Sequence, residues 1–316
     1  MLREVLSVLE LLDSPKATGA VIADHLASID PTADITVKTV AGDKGETDFV
    51  TVVIPGSNGR RSGGTAPTLG IIGRLGGVGA RPELIGYVSD GDGATAAIAS
   101  AAKLLHMKSI GDQLPGDVIV STHVCAWAPT EPHDPVPFMS SPVDIAAMNE
   151  HEVTAEMEAI LSIDTTKGNR ILNHRGIAIS PTVRQGYILR TSEDLLSVLE
   201  SVTGEPARVL PLSQQDITPY GNGLHHLNSI LQPAAASVAP VVGVALTTVT
   251  AVAGCATGAS HETDIAAAAR FSVEVAKGFG AGIVQFHDTD EFDRIVGLYG
   301  DGTRYQTLGG VLAPTA

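Results

Sequence analysis

Hydrophobic and polar residues follow two spacings along this chain, one typical of helices and one typical of strands. Apolar residues recur every three to four positions in LREVLSVLELL and again in ATGAVIADHLASI, which follows Ser14 and Pro15. This spacing predicts two helices within residues 1–30. The segments ITVKTV and DFVTVVIPG alternate with period two, which predicts a hairpin around AGDKGET.

The rest of the chain repeats a strand-then-helix order. The predicted strands are TLGIIG, DVIVSTHV, AILSIDTT, HRGIAISPTV and VVGVALTTV. The predicted helices are an alanine-rich helix from Ala94, then SEDLLSVLESVTG, GLHHLNSIL and ETDIAAAARFSVEVAKGF. Such alternation predicts a mostly parallel central sheet inside a three-layer α/β/α sandwich. We expect residues 1–316 to form a single α/β domain without a separate lid. Residues 128–144 carry five prolines and are expected to form a long functional loop.

Composition and charge argue against several classes of protein. Hydrophobic residues make up 44% of the chain, enough for a large core, and the net charge of −15 argues against nucleic-acid binding. The two cysteines form no C-x-x-C pair, and the N-terminus lacks a signal-peptide pattern, so we expect a reduced, cytoplasmic setting. The apolar residues 238–259 include Thr, Gly and Pro, which indicates a buried strand and not a membrane span. The apolar, Gly-rich composition favours a homo-oligomer.

Side chains that can bind a metal ion or take part in catalysis follow the predicted strands. Ligands of such sheets collect at the carboxyl ends of the strands. The candidates at these ends are Asp90, Asp92, His123, Cys125, Asp164, His261 and Glu262. Acids and histidines converging from several strand ends are the ligand chemistry of a divalent-metal hydrolase.

Several candidates also have a purely structural explanation. Asp92 is better explained as an acid at the N-terminus of the alanine-rich helix, and Asp90 fits that role or a metal ligand equally well. Asp164 fits a turn, and His261 fits the segment that leads into the last helix.

The pair His123 and Cys125 allows two interpretations. Two positions apart on one strand, both side chains lie on the same face, which is typical of packed core residues. The same spacing allows a thiolate–imidazole pair, which would make Cys125 the nucleophile of a cysteine-based enzyme.

Four segments resemble zinc-dependent exopeptidases and deacylases. They are LGIIGRLGGVGARPELIGYVSDGDGATAAIASAAKLL, LPGDVIVSTHVC, AILSIDTT and GASHETDIAAAARF, which together span about residues 68–280. The resemblance implies that Asp90 is the metal-bridging aspartate, Asp164 the terminal aspartate and His261 the last histidine. The whole chain also resembles a group of uncharacterised bacterial proteins, for which the resemblance implies no activity.

The chain departs from that family at two places. Arg74 stands where the first metal histidine belongs and Gly76 where the next aspartate belongs, and HVCAW replaces the paired glutamates. Either His123 or Cys125 rebuilds the metal site, or the two-metal centre is lost. Arg74 would then replace the charge of one metal, pairing with Asp90 or binding a substrate carboxylate.

These observations predict a metal-dependent hydrolase of small amide or peptide-like substrates with an altered metal site. A divalent metal such as zinc, as one ion or two, would polarise the scissile carbonyl and activate water. Glu262 would move the proton. The alternative is a non-catalytic binding or regulatory protein that has lost its metals. In either case we expect a small molecule or short peptide as the partner, and no nucleic acid or membrane.

Overall fold

Strands and helices alternate in the computed structural model, which describes residues 1–226 and 229–308. The helices are α1 (Leu2–Leu12), α2 (Gly19–Ile29), α3 (Asp92–Ser109), α4 (Ile145–Glu152), α5 (Glu193–Thr203), α6 (Pro233–Ala236), α7 (Glu262–Gly280) and α8 (Thr289–Tyr299). The strands are β1 (Asp34–Gly42), β2 (Gly45–Ile54), β3 (Leu69–Gly73), β4 (Val118–Val124), β5 (Thr130–Glu131), β6 (Phe138–Met139), β7 (Ala159–Thr165), β8 (Gly176–Ile179), β9 (Val183–Arg184), β10 (Tyr187–Ile188) and β11 (Val241–Thr247).

The central sheet has parallel strands in its middle and antiparallel strands at its sides. Its order is β1-β2-β4-β3-β7-β11-β9-β10, and β8 also pairs with β11. Strand β3 runs parallel to β4 and β7, and β7 runs parallel to β11, whereas β1 and β2 form an antiparallel hairpin. The predicted α/β fold with mostly parallel core strands is therefore confirmed.

The two faces of the sheet bury separate apolar cores. Consecutive residues of a strand point to opposite faces, and in β3 Ile71 belongs to one core while Ile72 belongs to the other. Helices α1, α2, α3, α5 and α7 cover the Ile71 face. Helix α6 and irregular segments cover the Ile72 face, and α4 packs on the same side against Phe49 of β2. These are the three layers expected from the sequence.

The local predictions agree with the structure except in the long connections. The two N-terminal helices are confirmed as α1 and α2. Residues 128–144 contain the short β5–β6 pair, and α4 and α8 were not predicted. The predicted helix over GLHHLNSIL includes residues 227–228, which lie outside the described residues, while 224–226 are not helical. No helix in the described part of the chain has the length and apolar character needed to cross a membrane.

The start of α3 lies directly against the end of β3. The alanines of α3 are buried, and their small side chains allow close packing against α7 and α1. A Cβ atom on Gly93 would lie 1.9 Å from the backbone oxygen of Arg74 and 2.6 Å from that of Ile163. Because residue 93 has no side chain, the start of α3 and the acids beside it can lie against the carboxyl ends of β3 and β7.

We expect Gly93→Ala to lower the free energy of unfolding by about 3 kcal/mol or more, because the added methyl group meets rigid backbone on two strands. Urea denaturation measures this loss. Gly297→Ala in α8 is the matched control, since a Cβ there meets no atom within 4 Å. That variant should gain about 0.5–1 kcal/mol from helix propensity. Equal stability of the two variants would contradict the packing argument.

Candidate functional site

Two neighbouring parallel strands bring the main candidates together. Arg74 follows β3 directly, and its backbone N–H donates to the Ile163 carbonyl of β7 at 2.7 Å. Asp164 is the next residue of β7, and Asp90 lies in the turn that leads into α3. The carboxyl ends of these strands therefore hold an arginine and several buried acids.

Asp90 is enclosed by three separate segments of the chain. Its backbone N–H donates to the Gly254 carbonyl at 3.0 Å, and a Cβ on Gly254 would lie 2.3 Å from Asp90 Oδ2. The backbone of Met139, from the Pro-rich loop, lies near this carboxyl group and lowers its pKa. Burial and then the charges of Asp164 and Asp92 raise the pKa of Asp90 to about 8. Asp90 is therefore mainly protonated at neutral pH.

Asp164 is more deeply buried than Asp90 but ionises at lower pH. Burial raises its pKa to about 6, although hydrogen bonds and the charge of Arg74 lower it. Ser229 Oγ donates to Oδ2 at 2.6 Å, and the Thr165 N–H donates to Oδ1 at 2.7 Å. Because Asp164 loses its proton first, Asp90 then feels a neighbouring negative charge. The two carboxyl groups interact electrostatically and differ in protonation near pH 7.

Arg74 pairs with Glu152 and not with Asp90, the partner expected from the sequence. Its Nε lies 2.5 Å from Glu152 Oε2, and its Nη2 donates to Asn149 Oδ1 at 2.8 Å. The Arg74 and Glu152 side chains are both fully buried. Burial alone would raise the pKa of Glu152, but Arg74 and His123 hold it below its ordinary value. Arg74 Nη1 has no hydrogen-bond partner among the described residues.

His123 completes this network. The Gly76 N–H donates to Nε2 at 3.1 Å, and Nδ1 lies 2.6 Å from Glu152 Oε1. The proton of the neutral ring is therefore on Nδ1, which donates to Glu152. Both ring nitrogens are engaged, so His123 presents no lone pair to a metal ion.

A second ion pair lies beside the first. Lys167 Nζ donates to Asp92 Oδ2 at 3.0 Å, and Ser260 Oγ donates to the other oxygen of the same carboxylate. Burial raises the pKa of Asp92, against the lowering effect of Lys167. Asp92 is the first residue of α3 and an acid in its first turn, as expected from the sequence, but it does not cap the helix, because Gly91 is the N-cap and no side chain caps this end.

Among the described residues, Cys125, His261 and Glu262 make no hydrogen bond or ion pair with the buried acids, although the charge of His261 lowers the pKa of Asp92. Cys125 belongs to an apolar cluster, and burial raises the pKa of its thiol, which makes it a poor nucleophile. The His261 side chain is 39% exposed and lies 3.4 Å from Asp264 Oδ2. Glu262 is exposed at the start of α7. Across residues 1–226 and 229–308, no three His, Cys, Asp or Glu side chains form a group that could hold a metal ion.

The predicted ligands therefore do not meet as one group of three or more among the described residues. Two side chains that matter here were not predicted. Glu152 ends a helix that the sequence did not predict, and no motif marks it. Lys167 lies three residues after Asp164, and extending the search past the strand end would have found it.

A surface groove of about 470 Å³ lies elsewhere, between residues 189–194 and 285–292. Three of its five acids already have structural partners. Asp194 accepts the Gln285 N–H, Glu291 pairs with Arg190, and Asp288 caps α8. The buried acids at the strand ends are therefore the better candidate site.

Comparison with known proteins agrees with the observed fold. A family model described as "Protein of unknown function (DUF1177)" matches residues 38–309. No curated protein matches the chain in sequence. The solved structure of the bottromycin maturation enzyme BotP in complex with Mn is similar over 88% of this chain and 70% of its own, with 14% identity and a TM-score of 0.51. The LapA aminopeptidase of Legionella pneumophila matches over 90% of this chain and 71% of its own, with 10% identity and a TM-score of 0.49. The similarity to BotP is one of fold.

We expect Arg74→Met to cost about 3–5 kcal/mol of unfolding free energy, because it leaves the buried Glu152 without its counter-charge. Arg61→Met is the matched control, since the Arg61–Glu156 pair is largely exposed. The control should change stability by less than about 1 kcal/mol. Chemical denaturation compares both with the parent, and a small loss for Arg74→Met would argue against the buried ion pair.

We expect Asp90→Asn to stabilise the protein increasingly as pH rises from 5 to 8 in metal-free buffer. The folded pKa of about 8 exceeds the ordinary value of 3.8, so in this window unfolding releases a proton and parent stability falls as pH rises. The difference should grow by up to about 1.4 kcal/mol per pH unit and level off above the folded pKa. Unfolding free energies at four pH values test this, and parallel pH profiles would contradict it.

Proposed function

The chain belongs to the DUF1177 family, and we propose that it is a hydrolase of small amide or peptide-like substrates with an altered site at Asp90 and Asp164. The fold that it shares with the bottromycin maturation enzyme BotP supports this class. Fold alone does not determine activity, so the proposal rests on the buried acids.

The observation that carries the proposal is the unpaired state of two of these acids. Asp92 and Glu152 are each bound by a cationic side chain, whereas Asp90 and Asp164 have no ion-pair partner in the described part of the chain. With pKa values of about 8 and about 6, one is protonated and the other ionised near neutral pH. Such a pair suits general acid and general base catalysis.

The site is altered in that two cationic side chains, Arg74 and Lys167, lie among its buried acids. Arg74 and Lys167 neutralise buried carboxylates in a region where the family resemblance implies metal ions. Both ring nitrogens of His123 are engaged, and Cys125 lies in an apolar cluster with a raised thiol pKa. Among the candidates at these strand ends that the structure describes, the Asp90 and Asp164 carboxyl groups are the ones most available to attract a divalent ion such as zinc or manganese.

A second candidate function is the non-catalytic binding of the same class of ligand. The closed Arg74–Glu152–His123 network favours it, because a carboxylate and an imidazole that would serve catalysis are fully buried and bound to each other.

We expect the purified protein to hydrolyse members of a panel of aminoacyl and N-acetylaminoacyl p-nitroanilides. The rate should peak between about pH 6 and about pH 8, where Asp164 is ionised and Asp90 still protonated. Asp90→Asn and Asp164→Asn should each lower kcat/KM by at least about 100-fold. Asp24→Asn, an exposed position on α2, is the matched control and should keep the parent rate.

The same assay, run with a chelator and with added Mn²⁺ or Zn²⁺, separates the alternatives. Turnover in chelator supports the metal-independent form of the proposal, and turnover only with an added ion supports the metal-dependent form. Ligand binding by calorimetry without any turnover would favour the binding protein.

A further inference from the structure

A serine hydroxyl is hydrogen-bonded to one of the two unpaired acids. Ser229 lies just before α6, and its Oγ donates to Asp164 Oδ2 at 2.6 Å. Ser229 is partly accessible to solvent, whereas Asp164 is 3% exposed. A buried carboxylate that accepts a hydrogen bond from a more accessible hydroxyl is the arrangement of a base and its nucleophile.

The site contains a second serine–aspartate pair, and the comparison favours the first. Ser260 Oγ donates to Asp92, but Lys167 also binds that carboxylate and balances its charge. Asp164 has no ion-pair partner in the described part of the chain, so no cationic side chain holds its carboxylate away from the serine hydroxyl. The charge balance therefore selects Ser229 over Ser260.

A buried positive group lies close enough to act on the same carboxylate. Arg74 lowers the pKa of Asp164 through its charge, and its side chain is fully buried. Its Nη1 lacks a hydrogen-bond partner among the described residues, which is costly for a buried donor. Arg74 therefore supplies fixed positive charge beside the carboxylate that accepts the Ser229 hydroxyl.

We propose that Ser229 is the nucleophile of this site and that it forms a transient acyl ester with an amide or ester substrate. This inference rests on the proposed hydrolase function. It adds a covalent step on a serine that the sequence analysis did not single out.

The atoms balance within the site, with water as the second reactant. Ser229 Oγ bonds to the carbonyl carbon while its proton passes to Asp164. The C–N bond then breaks, and the leaving amine takes a proton from Asp164, which gives acyl-Ser229 and free amine. Water attacks the ester, Asp164 accepts a proton from it, and the Ser229 oxygen leaves and is reprotonated. Asp164 ends in its starting state.

A fluorophosphonate probe tests the nucleophile in the parent protein, because an activated serine oxygen displaces fluoride from phosphorus. We expect one adduct per chain by intact mass, located on Ser229 by peptide mapping. Ser229→Ala should abolish it and Asp164→Asn should slow its formation at least tenfold. The adduct should remain on Ser229 in Ser260→Ala, and Ser201→Ala, an exposed serine on α5, should label at the parent rate.

The outcomes separate this inference from the hydrolase proposal. No adduct, or an adduct mapped to another residue, overturns the role of Ser229. Hydrolysis that persists within twofold in Ser229→Ala also overturns it while leaving the hydrolase proposal intact. Labelling of Ser229 without turnover of any p-nitroanilide supports the nucleophile and counts against the proposed substrate class. Because the labelled residue is identified in the parent protein, this result does not depend on whether any variant folds.

Discussion

The burial of four carboxylates at one end of the sheet is the constraint around which this site is built. They are Asp90, Asp92, Glu152 and Asp164. An isolated buried charge is costly, so each carboxylate needs a cation, hydrogen bonds or a proton. Arg74 and Lys167 satisfy two of them. The other two are left with hydrogen bonds and raised pKa values, and this difference separates the structural acids from the candidate chemical ones.

The backbone makes this arrangement possible by keeping side chains out of crowded places. Gly93 lets α3 meet the ends of β3 and β7, and Gly254 lies flat against the carboxylate of Asp90. Met139 reaches the same carboxylate from a loop that is distant in sequence. The site therefore depends on contacts between segments that are far apart along the chain, and not on one compact motif.

The sequence predicted the strands, and through them the acids that follow them, because period-two patterning and strand order are local properties. Asp90 and Asp164 could be found in this way. The partner of Arg74 could not, since Glu152 lies at the end of a short helix with little apolar pattern. The spacing of His123 and Cys125 showed that they share a face but not what that face contacts. Polar networks are decided by tertiary contacts, which a single sequence does not display.

The closed Arg74–Glu152–His123 network also has a consequence for the entropy of ligand binding. Arginine and glutamate side chains are free to adopt many rotamers, and ordering them on binding costs about 0.5–1.5 kcal/mol each. Here both are already immobilised by mutual hydrogen bonds in a fully buried setting. A ligand that arrives at these strand ends meets a rigid electrostatic field, so its selectivity is set by shape and charge match and not by induced ordering of the protein.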